Sequence, residues 1–392
     1  MTLAGISFAY LRSRPLAVAL NLLLLALGVA TITVLMLSTA QLEERMGRDA
    51  RGIDLVAGAK GSPMQLVLSA VFHLDAPTGN IPLAEANALA KQRVVKKAIP
   101  LALGDSYRGF RIVGSSHDYP AHYGARVAEG RLWSAPMEAT LGAEVATRTR
   151  LAPGAKFAGA HGLGEGGEEH ESEPYQVVGV LAPTGTVLDR LVLTSIESVW
   201  EVHEHGAPAG AAREITALLI QYASPLAAAT LPRMVNATSS LQAASPAYES
   251  ARLFRMIGVG VDLLRAFGAI LMLAAGLSVF IALWNALEER RYDLAVMRML
   301  GATPGRLMRL MLLEGCALAF AGGIAGIALG HVLTEALGVA LRQTQQTAVT
   351  GWAWNWNEAW LLAASLAVGA IAALVPALRA YRSDVAPVLA EG

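Results

Sequence analysis

Hydrophobic positions gather in four long runs, and between them the chain turns mixed and polar. Residues 16–37 are interrupted only by Asn21, Gly28, Thr31 and Thr33. Residues 267–287 end at Trp284 and Asn285, residues 310–329 carry Glu314 near their start, and residues 359–378 carry Pro376 near their end. Each run reaches the roughly 20 residues that a helix needs to cross a hydrocarbon core. None contains an internal Lys, Arg or Asp, whose charge is expensive at mid-membrane. The first run exceeds the roughly 7–15 apolar residues of a secretory signal, so it reads as a retained span despite the small residues Ser38, Thr39 and Ala40.

Four spans place both ends of the chain on one side. That side carries Arg12, Arg14, Arg290, Arg291, Arg298, Arg306, Arg309, Arg379 and Arg382, whereas the loop between the third and fourth spans carries only Arg342. The asymmetry puts the arginine-rich side in the cytoplasm. Arg45, Arg48 and Arg51 lie on the other side, accompanied by Glu43, Glu44 and Asp49. Trp352, Trp354, Trp356 and Trp360 fit an aromatic belt at the outer interface, and their alternation also suits a short extended segment.

The long polar stretch after the first span shows both periods. Strands are predicted over 54–57, 98–102, 109–114, 175–181, 190–193 and 215–222, and helices over 82–93, 195–205 and 225–236. Residues 245–265 also read as helix and run directly into the second span. Residues 158–174, AGAHGLGEGGEEHESEP, hold five Glu and two His among many Gly. Such a segment cannot bury a core, and it is expected to divide the outer region into parts 41–157 and 175–258. The expected fold is membrane α-helical, four transmembrane helices with a large α+β extracytoplasmic domain inserted between helices 1 and 2. The boundaries are 1–40 for the N-terminus and first span, 41–258 for the outer domain with its loop at 158–174, 259–287 for the stalk end and second span, 288–309 for a cytoplasmic helix, and 310–392 for the last two spans and C-terminus.

Composition narrows the function classes. Apolar residues make up 54% and charged ones 16%, against about a quarter charged in soluble proteins. Lys plus Arg and Asp plus Glu both number 31, so the chain lacks the basic footprint of a nucleic-acid binder. One cysteine, Cys316, forms neither an intrachain disulfide nor a Cys-rich zinc site. No P-loop spacing occurs; Gly58-Ala59-Lys60-Gly61-Ser62 has the letters only. The zinc-protease and nucleophile-elbow patterns are missing, and Ser115-Ser116-His117-Asp118 holds triad letters as neighbours that seldom converge. An enzyme therefore has no positive support.

Two readings of the histidines stand side by side. His161 and His170 in the acidic loop, with His203 and His205 beyond it, have neighbouring glutamates and the chemistry to hold zinc, but no accepted ligand spacing. The plainer reading is a solvated loop and a helix end. His73 and Asp75, in a turn-rich stretch, are candidates for a ligand cleft, but a turn held by Asp and Asn is the plainer reading. Gly322, Gly326 and Gly330 recur every fourth residue and permit close helix packing, either within one subunit or along a dimer seam.

The cytoplasmic loop is the richest segment. Leu294, Met297 and Leu300 make an apolar stripe among Glu289, Arg290, Asp293 and Arg298; Gly301 ends that helix and Pro304 opens the next. Such a helix can lie on lipid or dock into a cytoplasmic partner. NALEERRYDLAVMRMLGATPGRLMRLMLLEG resembles the signature of FtsX/MacB-type ABC transporter permeases, of the mechanotransmission class, and the closing VPALRAYRSDVAPVLAEG resembles their C-terminal motif. The layout of one span, a large outer domain and three closing spans is similar too.

That resemblance implies a permease in a bacterial inner membrane, working as a homodimer with two copies of a separate ABC ATPase that binds ATP and Mg. It implies a periplasmic binding or adaptor protein, and export or extraction of a substrate from periplasm or membrane. Glu288, Glu289, Arg290, Arg291, Asp293, Leu294, Met297, Arg298, Leu300, Gly301 and Pro304 would then couple to the ATPase. No cofactor is expected on this chain beyond the candidate zinc. The reading from another class is a membrane-anchored signalling protein with no transport activity.

Overall fold

The computed structural model describes residues 5, 12–161, 174–204, 213–344 and 349–382. The chain forms two compact units, residues 1–42 with 257–392, and residues 43–256. Eleven helices are labelled in chain order: α1 (Pro15–Asp49), α2 (Pro63–Ala70), α3 (Leu83–Ala90), α4 (Asp118–His122), α5 (Ala143–Thr149), α6 (Ile196–Glu204), α7 (Leu226–Thr238), α8 (Pro246–Glu289), α9 (Arg291–Met299), α10 (Pro304–Thr344) and α11 (Asn357–Arg382).

In the membrane unit, α1, α8, α10 and α11 are long and apolar enough to cross a bilayer. All four helices outrun their apolar runs. Small residues set the spacing between them. A Cβ added at Gly322 would lie 2.8 Å from Leu25 Cδ2, one at Gly326 2.6 Å from Val29 Cβ, and one at Gly330 2.5 Å from Thr33 Cβ. The glycine stripe is therefore the seam between α10 and α1 of the same chain, and the dimer-seam reading falls away for these residues. Gly369 meets α10 equally closely, its added Cβ falling 2.3 Å from Ala319 Cβ. Such contact without intervening side chains substitutes for the hydrophobic drive that lipid removes.

The outer unit is built on β-structure. Its strands are β1 (Leu55–Ala59), β2 (Ile81–Pro82), β3 (Val95–Tyr107), β4 (Phe110–Ser115), β5 (Val127–Gly130), β6 (Glu138–Leu141), β7 (Lys156–Phe157), β8 (Ala160–His161), β9 (Tyr175–Leu181), β10 (Val192–Thr194), β11 (Glu214–Ile215), β12 (Ala217–Tyr222) and β13 (Leu241–Ala244). An 11-stranded sheet runs β13-β1-β12-β3-β4-β10-β6-β9-β5, with β7 on β9 and β8 on β3. The β4–β10 and β6–β9 pairs are parallel; the other pairs are antiparallel.

This topology overturns the expected division at the acidic segment. β12 pairs with β1 and β3, and β10 pairs with β4, so strands from before and after residues 158–174 interleave in one sheet. The buried clusters repeat the point. One joins Leu55, Ile81 and Leu89 to Ile220, Leu231 and Leu241; the other joins Phe110, Ile112 and Leu141 to Tyr175, Val177 and Val192. Each such side chain contributes about 1.5–3 kcal/mol on leaving water, which exceeds anything a polar loop offers as a boundary. Residues 158–161 are also not all loop, because β8 pairs Ala160 and His161 with Ser106 and Asp105.

Local signals explain the element ends. Ser62 caps α2 by accepting from the Gln65 amide, with Pro63 in the first turn. Pro82 stands just before α3, as its cap residue, not inside the helix.

Candidate functional site

The cytoplasmic hairpin begins where α8 ends at Glu289, and Arg290 separates it from the nine-residue α9. Gly301 adopts φ +95°, a conformation that suits glycine, and the Ala302 amide reaches back to the Met297 carbonyl at 3.0 Å. That 6→1 closure satisfies carbonyls at the helix end. Pro304 then opens α10, its missing amide costing nothing at a first turn.

Charged groups fasten this hairpin to every span. Arg290 donates to Glu314 at 3.0 Å, with side chains 8% and 2% exposed. Glu288 accepts from Arg379 of α11 at 2.7 Å and from Arg291 at 2.7 Å, while Arg14 near the start of α1 pairs with Glu289. The Arg379 guanidinium also lies 4.2 Å from the centre of the Trp284 ring, a cation–π contact.

The structure corrects the expected docking face. Leu294 is buried with Leu287, Leu307, Leu310, Met311, Ala377 and Ala380, and Met297 packs against the same cluster. That half of the stripe holds α9 to its own chain. Leu300, at 84% exposure, faces outward instead, beside Met299 at 61%, and Tyr292 is 57% exposed. Arg290, expected among the rim charges, is a buried structural cation, whereas Glu289, Arg291 and Asp293 are exposed and Arg298 and Glu288 half-buried. Sequence reasoning missed the Arg290 role because its partner is 24 residues away. The available signal was Glu314, an acid in an apolar run that required a cation.

The outer candidates separate. His73 is buried, shares a 2.9 Å hydrogen bond with the Tyr119 hydroxyl, and adopts φ +55°. Burial, reinforced by the Arg111 and Arg190 guanidinium groups, holds its imidazole well below the ordinary 6.5. Asp75 caps its own turn through the Ala76 amide at 2.7 Å, and its carbonyl accepts from Arg111 at 2.8 Å. The same burial lowers Arg111 to about 10, with Asp75 opposing the shift. His73 and Asp75 thus build a packed turn, the plainer of the two readings, and not a ligand cleft.

An open groove of about 360 Å³ is lined by Ser115, Ser116, His117, Trp133, Ser195 and Glu197. His117 Nε2 donates to the Trp133 carbonyl at 2.8 Å and Ser115 Oγ to the Pro100 carbonyl at 2.8 Å, so the triad letters serve separate structural bonds.

The metal candidates fall mostly outside the described residues. His170 and His205 lie there, as do the side chains of His161 and His203. Among the described residues, no group of three or more His, Cys, Asp or Glu is placed to hold a metal ion.

Four helices able to cross a membrane among the described residues, a charge-fastened hairpin between the second and third, and an α/β domain inserted after the first define a multipass membrane protein. Residues 18–237 match the MacB-like periplasmic core domain and residues 265–385 the FtsX-like permease C-terminal region. The first match alone takes in more than half of the 392 residues, and the chain belongs to the family of MacB- and FtsX-type ABC transporter permeases. Among solved structures it is similar to the periplasmic region of MacB from Actinobacillus actinomycetemcomitans, at 13% identity and TM-score 0.34, over 52% of this chain and 95% of that one. It is also similar to the extracellular domain of the noncanonic ABC-type transporter YknZ from Gram-positive bacteria, at 14% identity and TM-score 0.31, over 48% and 98%. Comparison with curated proteins gave no match. The protein is a multipass inner-membrane permease whose region between the first and second spans is a periplasmic domain. Members of this family work with an ABC ATPase.

Proposed function

We propose that this permease receives the ATPase cycle at its cytoplasmic hairpin and relays it to the periplasmic domain, driving export or extraction of a substrate from periplasm or membrane. The observation that carries the reading is the division of labour within α9. Leu294 and Met297 secure the helix to its own spans, leaving Tyr292, Met299 and Leu300 as exposed apolar groups. A groove in a partner can accept such a face, and Asp293 and Arg291 beside it would orient the encounter. Because Arg290, Glu288 and Glu289 tie the hairpin to α10, α11 and α1, displacement of α9 moves the spans with little slack. The complex is a homodimer of this chain with two ATPase copies, joined by a periplasmic binding or adaptor protein.

The test is pull-down of the ATPase by nanodisc-embedded permease, with ATP turnover measured alongside. Tyr292→Asp with Leu300→Asp should abolish recruitment while the chain stays folded. Unchanged recruitment and turnover would overturn the reading and favour a signalling protein without transport. A separate zinc site, using His161, His170, His203 and His205, is proposed on the chemistry of those side chains alone. Calorimetry on the full chain showing no zinc binding at micromolar concentration would remove it.

A further inference from the structure

The loop between the last two spans presents an unusual surface. Trp352, Trp354, Trp356 and Trp360 are 88%, 67%, 82% and 76% exposed, while Ala353 and Asn355 between them are half-buried. The first three indoles thus alternate with more buried neighbours along the segment. Four exposed indoles would be costly in water; three stand between two membrane-crossing helices and Trp360 lies in the first turn of α11.

The segment is held in place by polar contacts. The Gln41 side chain of α1 makes paired bonds with Thr350, donating to its carbonyl at 2.8 Å and accepting from its amide at 2.9 Å. Glu335 of α10 accepts from the Thr350 hydroxyl and the Gly351 amide, both at 2.8 Å. His331 of α10 bonds the Gly351 carbonyl and, at 3.2 Å, the buried Glu358 of α11, which accepts from the Asn355 amide at 3.2 Å. Helices α1, α10 and α11 all contribute, and among the described residues α8 supplies none of these bonds.

We propose that residues 349–360 form a prebuilt interfacial anchor that seats these indoles in the headgroup–glycerol layer of the outer leaflet. Indole, with an apolar ring and one N–H, prefers that layer. No Lys or Arg occurs between Arg342 and Arg379, so the attachment is independent of lipid charge. The anchor fixes the height of α1, α10 and α11 in the bilayer directly, and acts on α8 through its packing against α1 and α11.

The experiment measures tryptophan emission of the full chain in phosphatidylcholine nanodiscs, carrying Trp284→Phe to remove the one tryptophan of α8. Lipid brominated near the glycerol should quench emission more than lipid brominated near the chain ends. Further replacement of Trp352, Trp354 and Trp356 by Phe should remove about half or more of that quenching, since interfacial indoles are its source. Exchange for phosphatidylglycerol should leave the quenching unchanged. Glu335→Ala, which removes two of the bonds that hold the loop, should weaken it in protein that remains monodisperse. Two results overturn the proposal: iodide in the water quenching the parent while brominated lipid does not, or full lipid quenching surviving the triple replacement. Quenching that appears only with the anionic lipid overturns it as well.

Discussion

Arg290 and Glu314 meet at 3.0 Å with both side chains more than nine-tenths buried, and this pair closes the cytoplasmic hairpin onto the third span. Desolvating two charges is expensive, so the pair is valuable mainly in that each charge needs the other. Arg290→Met, leaving Glu314 uncompensated, should destabilise the chain by about 3–5 kcal/mol. Arg290→Met combined with Glu314→Leu should recover most of that loss. Thermal unfolding in one detergent compares the two; equal destabilisation of single and double variants would contradict the pairing.

Leu294 and Leu300 should part company on truncation. Leu294 is buried in the hairpin core, and Leu294→Ala should cost about 2–5 kcal/mol through lost transfer energy and a residual cavity. Leu300→Ala, at an exposed position, should change stability by less than about 0.5 kcal/mol. The same melts provide the readout, and a Leu300 variant as unstable as the Leu294 one would mean that α9 is turned the other way.

Gly322 offers a test of the intrachain seam. An alanine there would bring Cβ to 2.8 Å from Leu25 Cδ2 and 3.2 Å from Leu25 Cγ. Gly322→Ala should therefore destabilise the chain, by about 1–3 kcal/mol for overpacking. Leu25→Ala in the same chain deletes both of those atoms and should restore part of the loss. Rescue that appears only when the two changes sit on different copies would return the stripe to a dimer interface.

The same residues show what a sequence discloses. The spans were legible because lipid demands long apolar runs nearly free of charge, and among the described residues no other helix has them. Gly301 and Pro304 were legible because helix ends follow local rules that need no tertiary knowledge. The sheet was not: β4 meets β10 and β1 meets β12 across well over a hundred intervening residues in the latter case, and the acidic stretch between them looked like a boundary. The hairpin was half legible. A nine-residue helix with Tyr292, Leu294, Met297 and Met299, capped by Leu300, is apolar on more than one side, and spacing alone does not say which side the protein keeps. His73 misled for a related reason, since its turn-rich neighbourhood suggested exposure while Tyr119, 46 residues on, supplies a buried partner.

Acid should weaken the periplasmic domain over two separable pH ranges, because His73 and Glu138 are shifted downward for opposite reasons. Burial disfavours the His73 imidazolium, so the unfolded chain, with its ordinary 6.5, takes up a proton more readily than the folded one. Stability from this group is complete above pH 6.5 and falls as pH drops below it. Glu138 is instead favoured in its charged form by Arg131, which donates to Oε2 at 2.7 Å, with the Ser134 amide also at 2.7 Å; its value drops from 4.5 to about 2. Its contribution is complete above pH 4.5 and is lost as pH falls towards 2. The pair is partly exposed, so salt should reduce its effect. His73→Asn, a residue that tolerates the left-handed backbone at φ +55°, should flatten the upper step and leave the lower. Glu138→Gln should do the reverse. Melting temperatures of the full chain from pH 8 down to the point of precipitation, followed by near-ultraviolet circular dichroism, separate the two. A His73→Asn profile that still declines between pH 6.5 and 5 as the parent does would assign that step to another group.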